Sequence, residues 1–475
     1  MSELKEKCAV VAYVGEDDQI ASYEVYDMLH SLQHRGAEAS GIVSTDSNAD
    51  EFTYWRGNGL VRDVFNEASM ERLTGNIALG HNRYSTNGRK TEHIQPVIDD
   101  GIGFAFATNG NLPVTDHLKT YLEKNHIRIN DLNDSEMSAY AIAQQIRNGH
   151  NLPDAIELMA HYFRGSYSSV VGHDGIIVAF RDPYGIRPLE IGENNGRTAV
   201  ASETCALDIV NAEHVRSVQP GEMVIISRDG LSTSQFAEGS EKLDMFEFVY
   251  FARPDSKLYG QSVGSVRVKS GKLLAKEHPD LGDISNNTVV VPVPDTARQA
   301  AEGVQDIYGY PICDAIVKNR YIGRSFMQPS EKARDEQLKR KFSFDGERII
   351  GKDLILVDDS IVRLNTAPML VKQAYSLGAR SVSMLIASPP VRFPDFYGID
   401  TPGQSELVAA NMTIEEIRRD IGCEYLGFLS LSNLINSTGM EEDKFNLSCF
   451  TGEYPIEIGK NKRSIAVPVE MSYVE

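Results

Sequence analysis

The rhythm of strands and helices along this chain changes near residue 240, and that change limits what it can fold into more than any other feature. From Cys8 to about Arg228 short β runs follow one another with few helices between them. They are Ala9–Val14, Ile77–Leu79, Phe104–Ala107, Ser168–Val171 and Ile176–Phe180, with helical stretches near Tyr26–Leu32 and Glu136–Ile146. Strands grouped in this way predict an α+β layered domain. After Phe248 strand and helix alternate: Val289–Val293 before Ala297–Tyr308, Leu354–Val357 before Thr366–Leu377, then Val382–Ala387. Alternation predicts a mainly parallel sheet wrapped by helices, an α/β domain. The polar, small-residue segment Phe236–Asp244 separates the two patterns, so a boundary is expected there. The expected organisation is a first domain over 8–240, a second over 245–440 and an extension over 441–475. A length of 475 residues accommodates this at roughly 150 residues per domain.

Charge and cysteine usage narrow the function classes. With 67 acidic and 47 basic residues the formal net charge is −20, which argues against broad binding to nucleic acid or an anionic membrane. Met1–Lys7 is charged and lacks the apolar centre of a secretory signal, and no later run approaches the ~18 apolar residues of a spanning helix. A cytoplasmic protein is expected. The five cysteines, Cys8, Cys205, Cys313, Cys423 and Cys449, are odd in number, scattered and without a C-x-x-C pair, so neither a disulfide framework nor a zinc site is indicated. The basic and acidic stretch Ser330–Lys341 reads as a mobile loop.

A cysteine at the head of a buried β run, as in Cys8-Ala9-Val10-Val11, taken alone reads as core. Its company reads differently: His34-Arg35-Gly36, Gly80-His81-Asn82-Arg83-Tyr84-Ser85-Thr86, Asn109-Gly110-Asn111, Asp134-Ser135-Glu136, Arg181–Leu189 and Ala201-Ser202-Glu203-Thr204. Several of these polar clusters are expected in turns. Together they resemble the glutaminase domain of the N-terminal-nucleophile amidotransferases, an αββα four-layer sandwich. The resemblance implies that Cys8 attacks the side-chain carboxamide of glutamine with its own α-amine, of pKa about 7.7–8.0, as the base. It implies that Asn109 and the Gly110 N–H stabilise the oxyanion. Arg83 then binds the α-carboxylate and Asp134 the α-amine of glutamine, with Arg35 and Gly36 in the same pocket. The amine must be free, so residues 1–7 are expected to be a propeptide. The chain departs from the usual pattern at Ala9, where glycine is common, and at Thr108, where histidine is usual.

In the second half Leu354-Ile355-Leu356-Val357-Asp358-Asp359-Ser360-Ile361-Val362-Arg363 is an apolar run that ends in two acids and a turn. Such strand ends gather ligands in open α/β sheets. The run resembles the phosphoribosyl-pyrophosphate (PRPP) loop of type I phosphoribosyltransferases, and the two halves together resemble the glutamine-dependent amidophosphoribosyltransferases of purine (IMP) biosynthesis. The resemblance implies PRPP binding by Asp358, Asp359, Ser360, Arg363, Asn365 and Thr366, and by Lys318, Arg320 and Tyr321 of a closing loop. It implies one Mg2+ per subunit at Thr296, Asp358 and Asp359, purine nucleotides as inhibitors, and a homo-oligomer, dimer or tetramer. Leu364-Asn365 stands where Gly-Thr is usual, which predicts an altered phosphate cradle. A PRPP-binding regulatory homologue with glutaminase activity but impaired transferase activity is the alternative. Some relatives hold an iron–sulfur cluster on four cysteines. Here Met245 or its neighbours, Asp395, Asn446 and Cys449 occupy those places, so no cluster is expected.

Overall fold

The computed structural model describes residues 8–46, 52–84, 93–228, 230–319, 342–399 and 401–470. Residues 1–7, Ser85, Thr86, Arg320, Tyr321 and Ser330–Lys341, named above, lie outside the described residues.

The first half contains thirteen strands: β1 (Ala9–Val14), β2 (Ala39–Thr45), β3 (Thr53–Asn58), β4 (Ile77–Arg83), β5 (Val97–Asp99), β6 (Phe104–Val114), β7 (Arg164–His173), β8 (Ile176–Arg181), β9 (Glu190–Asn194), β10 (Arg197–Ala201), β11 (Glu213–Ser217), β12 (Glu222–Ser227) and β13 (Gly230–Gln235). They form two antiparallel sheets, ordered β11-β9-β10-β1-β4-β2-β3 and β13-β12-β8-β7-β6-β5. Side chains alternate across each strand. From β1, Ala9, Val11 and Tyr13 pack with the helices Ala21–Ser31 and Cys205–Ile209. Val10, Ala12 and Val14 meet Ala105, Ala107, Val170 and Val224 of the other sheet. That sheet carries helices Asp116–Lys124, Asp134–Arg147 and Leu152–Ala160 on its outer face. The layers are therefore αββα, and burial on both faces explains why β1 reads as an unbroken apolar run.

Two expectations need correction. Helix Ala21–Ser31 begins five residues before the expected Tyr26; its N-cap residue Ile20 makes no side-chain cap, so the start carries no capping signal. Asn109-Gly110-Asn111 is not in a turn but inside β6, paired with Ser168, Tyr167 and Ser166 of β7. A Cβ on Gly110 would stand 2.1 Å from the Ser166 carbonyl oxygen, so the glycine serves cross-strand approach rather than chain reversal.

The second half is built on a parallel sheet ordered Thr288–Pro292, Asp353–Asp358, Ser381–Ile386 and Tyr425–Phe428. Ile355 and Val357 face helices Val263–Glu277 and Arg298–Tyr308, whereas Leu354 and Leu356 face Ala367–Ser376 and Ile414–Ile421. The segment between the halves runs along the first one, with backbone bonds Ser240 to Pro183, Lys242 to Tyr184 and Asp244 to Ile186. Leu243–Asp244 then pairs in parallel with Phe445–Asn446. Ile456 and Ile458 of the carboxy-terminal region pack on Ile186 and Tyr397. Among the described residues no helix is long and apolar enough to cross a membrane.

Candidate active sites at the two sheet ends

Cys8 immediately precedes β1 and is buried. It leads into β1, whose Val10 faces the inter-sheet layer, and in β4 Ile77 and Leu79 lie on that same side. The register Ala9↔Asn82 sets Cys8 beside Arg83, two residues beyond His81 on the same face. His81 crosses the layer, its Nε2 3.2 Å from the Thr108 carbonyl oxygen of β6. Burial first, and the Arg83 charge second, push the His81 imidazole down to about 3, so it is neutral at physiological pH and its Nε2–H donates. Asn109 follows Thr108 and by alternation with Ala105 and Ala107 also faces the layer. It is fully buried, and neither its amide nitrogen nor its oxygen has a partner. Buried polar groups are almost always hydrogen-bonded, so an amide with no protein partner at this point is open to a ligand or to water.

The other expected glutamine residues sit around this end. Asp134 is the first residue of its helix, which Asn133 and Glu136 cap reciprocally, and it accepts the Leu112 N–H at 2.9 Å. It lines a small cavity with Gly110, Asn111 and Ser138. Gly36 lies against β4, where a Cβ would come within 2.7 Å of the Asn82 carbonyl carbon. Arg35 is fully buried and its Nε donates to the Cys8 carbonyl oxygen at 3.4 Å. Its remaining donors meet Glu203 at 2.6 Å and both oxygens of Glu247 at 2.8 and 3.0 Å.

Sequence reasoning quoted Glu203 within its motif but gave it no role, and it missed Glu247. Glu203 also takes His34 at 2.7 Å, the Arg253 N–H at 2.9 Å and the Ser256 hydroxyl at 2.7 Å. Burial alone would raise its carboxyl, but His34 and Arg35 outweigh it and hold it well below the usual range. Glu247 is likewise held down by Arg187 and Arg35 against the effect of burial. The signal was in the sequence: Glu247 stands among Met245, Phe246, Phe248 and Val249, and a lone acid in an apolar run must be paired when buried. The second half also touches β6 directly, since Asn111 Nδ2 donates to the Phe396 carbonyl at 2.9 Å and the Ser166 hydroxyl to that of Tyr397.

At the carboxyl end of the central parallel strand Asp358 and Asp359 are both buried. Burial, helped by the adjacent Asp359, raises the Asp358 carboxyl to about 6. The Asp359 carboxylate accepts the Ser360 hydroxyl at 2.7 Å and the Thr296 hydroxyl on its other oxygen. Thus Thr296 and the two acids, distant in sequence, converge. Lys318 Nζ meets Asp295 at 2.8 Å beside them. The chain then turns through Arg363, whose guanidinium meets Glu406 at 2.6 Å, exposed Asn365 and buried Thr366 into helix Ala367–Ser376. Leu364 packs against the core and is not in the left-handed region, so this loop conformation does not require glycine there. Thr296 and Asp359 offer adjacent hard oxygens, which suit Mg2+ carried mainly by a substrate's phosphates. Among the described residues no three His, Cys, Asp or Glu side chains gather into a metal cage.

The chain matches the glutamine amidotransferase domain family over residues 81–208. It is 38% identical over 465 residues to the amidophosphoribosyltransferase of Bacillus subtilis (strain 168), with 96% of this chain and 95% of the relative covered. It is 39% identical over 470 residues to that of Synechococcus elongatus, covering 97% and 94%. The solved B. subtilis glutamine PRPP amidotransferase, in complex with ADP and GMP, superposes with a TM-score of 0.87 at 37% identity, covering 96% of this chain and 98% of that one. With identity at this level along nearly the whole length, and both sheet ends furnished as described, the chain belongs to the amidophosphoribosyltransferase family.

Proposed function

We propose that this chain catalyses the first committed step of purine nucleotide synthesis: glutamine hydrolysed at Cys8 supplies ammonia, which displaces pyrophosphate from PRPP to give 5-phosphoribosylamine. The observation that carries the reading is the buried Asn109 amide, without a protein partner, next to Thr108, whose carbonyl His81 reaches across the layer from the strand paired with β1. The Cys8 sulfur adds to the carboxamide carbon of glutamine while its α-amine takes the thiol proton. Asn109 Nδ2 and the Gly110 N–H hold the oxyanion. Ammonia leaves with that proton, and water hydrolyses the γ-glutamyl thioester to glutamate. Arg83 and Asp134 grip the two ends of the amino acid, and Arg35 and Gly36 border the pocket. Cys8 has a φ of 67°, a region unfavourable for a non-glycine residue; cleavage before it removes that torsion and frees the amine, in keeping with a propeptide over 1–7.

The second half binds PRPP at Asp358, Asp359, Ser360, Arg363, Asn365 and Thr366, with Lys318, Arg320 and Tyr321 over the pyrophosphate. Backbone N–H groups at the start of helix Ala367–Ser376 suit a 5′-phosphate. Thr296, Asp358 and Asp359 would hold one Mg2+ per subunit, which supplies charge neutralisation to the leaving pyrophosphate. Cys449 is the sole thiol among Met245, Asp395 and Asn446, a donor set that does not fit a four-iron cluster. The domains are 8–240 and 245–440, with 441–475 as an extension. A cytoplasmic homo-oligomer inhibited by purine nucleotides completes the reading; the ADP and GMP held by the B. subtilis structure support the last point. No observation favours a regulatory homologue.

The test is pyrophosphate release from PRPP with glutamine or with ammonium as nitrogen source. The proposal expects both to support it and Cys8→Ala to abolish the glutamine reaction. A chain that hydrolyses glutamine yet releases no pyrophosphate even with ammonium would overturn it.

A further inference from the structure

Glutamine use by the first half depends on an acid that the second half contributes. We infer that Glu247 is a positioning residue for the Cys8 nucleophile, acting through Arg35. This rests on the assignment of Cys8 as the nucleophile. Three observations carry it. Arg35 Nε donates to the carbonyl oxygen of Cys8 itself at 3.4 Å, so the orientation of this guanidinium bears on how the nucleophilic residue is held. Of the two acids on that guanidinium, Glu247 alone takes it as a fork, with NH2 to Oε1 at 2.8 Å and NH1 to Oε2 at 3.0 Å. Glu203 meets only NH1 and divides its oxygens among His34, the Arg253 N–H and Ser256. A bidentate carboxylate fixes the plane of a guanidinium, which a single contact does not. Third, Glu247 is itself held by charge: it is fully buried and forms an ion pair with Arg187, whose NH2 lies 2.9 Å from its Oε1 without hydrogen-bond geometry.

Arg35 and Arg187 face Glu203 and Glu247, while Asp244, 3.3 Å from Arg187, has its carboxyl pushed well above the usual range by burial and by Asp395. Glu247→Gln removes one negative charge and one of the two acceptor oxygens without changing the size of the side chain. The guanidinium plane is then free to turn about its Glu203 contact, and the Cys8 carbonyl loses its fixed donor. A misplacement of about 1 Å at a reacting group costs on the order of 100-fold in rate.

The experiment compares the processed full-length protein with Glu247→Gln, measuring pyrophosphate release with glutamine and with ammonium, and the inactivation rate by iodoacetamide against pH. The expected result is a glutamine-dependent kcat about 10- to 100-fold lower. KM for glutamine should stay within about threefold and the ammonium rate within about twofold, with slower alkylation. The ammonium rate is the control for folding. A merely structural residue would lower both rates together, and that outcome, or no loss with either nitrogen source, overturns the inference. Should Glu247→Gln not fold, Glu247→Asp keeps the charge and is judged by the same split between nitrogen sources. If Cys8→Ala still uses glutamine, the nucleophile assignment fails, a result distinct from any outcome at Glu247.

Discussion

Replacing Asn109 by alanine should separate function from stability in an unusual direction. As the oxyanion donor its side chain contributes about 2.7–4 kcal/mol to the transition state, so kcat for glutamine hydrolysis should fall about 10²- to 10³-fold. Most active-site truncations at a fully buried position also weaken the fold. Here both polar atoms are buried without a partner, and an unsatisfied buried amide costs about 1–3 kcal/mol. The space left by its amide group, on the order of 25 Å3, costs about 0.6 kcal/mol at ~24 cal/mol per Å3. The balance predicts a variant more stable than the parent by roughly 0.5–2.5 kcal/mol. Steady-state glutamine hydrolysis reads the first quantity and the urea midpoint of the first domain the second. A loss of activity under tenfold would refute the oxyanion role. A lower midpoint would refute the claim that the amide is unsatisfied.

Gly110→Ala places a Cβ 2.1 Å from a backbone carbonyl and should abolish glutamine use while ammonium-dependent synthesis continues; equal loss of both would show that the clash unfolds more than β6. His81 binds a proton at about 3 when folded and at 6.5 when unfolded, so between those values the unfolded chain holds the extra proton and stability falls as pH is lowered. From pH 6.5 to 5 the loss is on the order of 2 kcal/mol, and His81→Asn should remove it from the pH dependence of the urea midpoint. Leu364→Gly should leave KM for PRPP within about threefold, since the backbone there needs no left-handed residue. A KM lowered tenfold would show that the leucine obstructs the phosphate.

The sequence was most legible where packing alone decides structure. Ala9–Val14 and the run to Asp358 are buried on both faces, so their apolar continuity marked strands directly. Thr53–Asn58 and Gly230–Gln235 lie at sheet edges and are half or fully exposed, which leaves no alternation to find. Asn109-Gly110 carries the strongest hairpin signature of any dipeptide, yet cross-strand contact with Ser166 and Tyr167 overrides that local preference. The ion-pair network of Arg35, Glu203, Arg187 and Glu247 could not be read as a whole because its members span more than two hundred residues and meet only where the halves pack. Glu247 among aromatics was its one local trace. On the phosphate side the acids were legible as a strand end, but their convergence with Thr296 depends on adjacent parallel strands.

The most direct test of the account is the amino-terminal sequence of protein that is active with glutamine. A free α-amine on Cys8 is the base of the proposed mechanism, so the active protein should begin at Cys8. Full glutamine-dependent activity in a chain beginning at Met1 or Ser2 would contradict it.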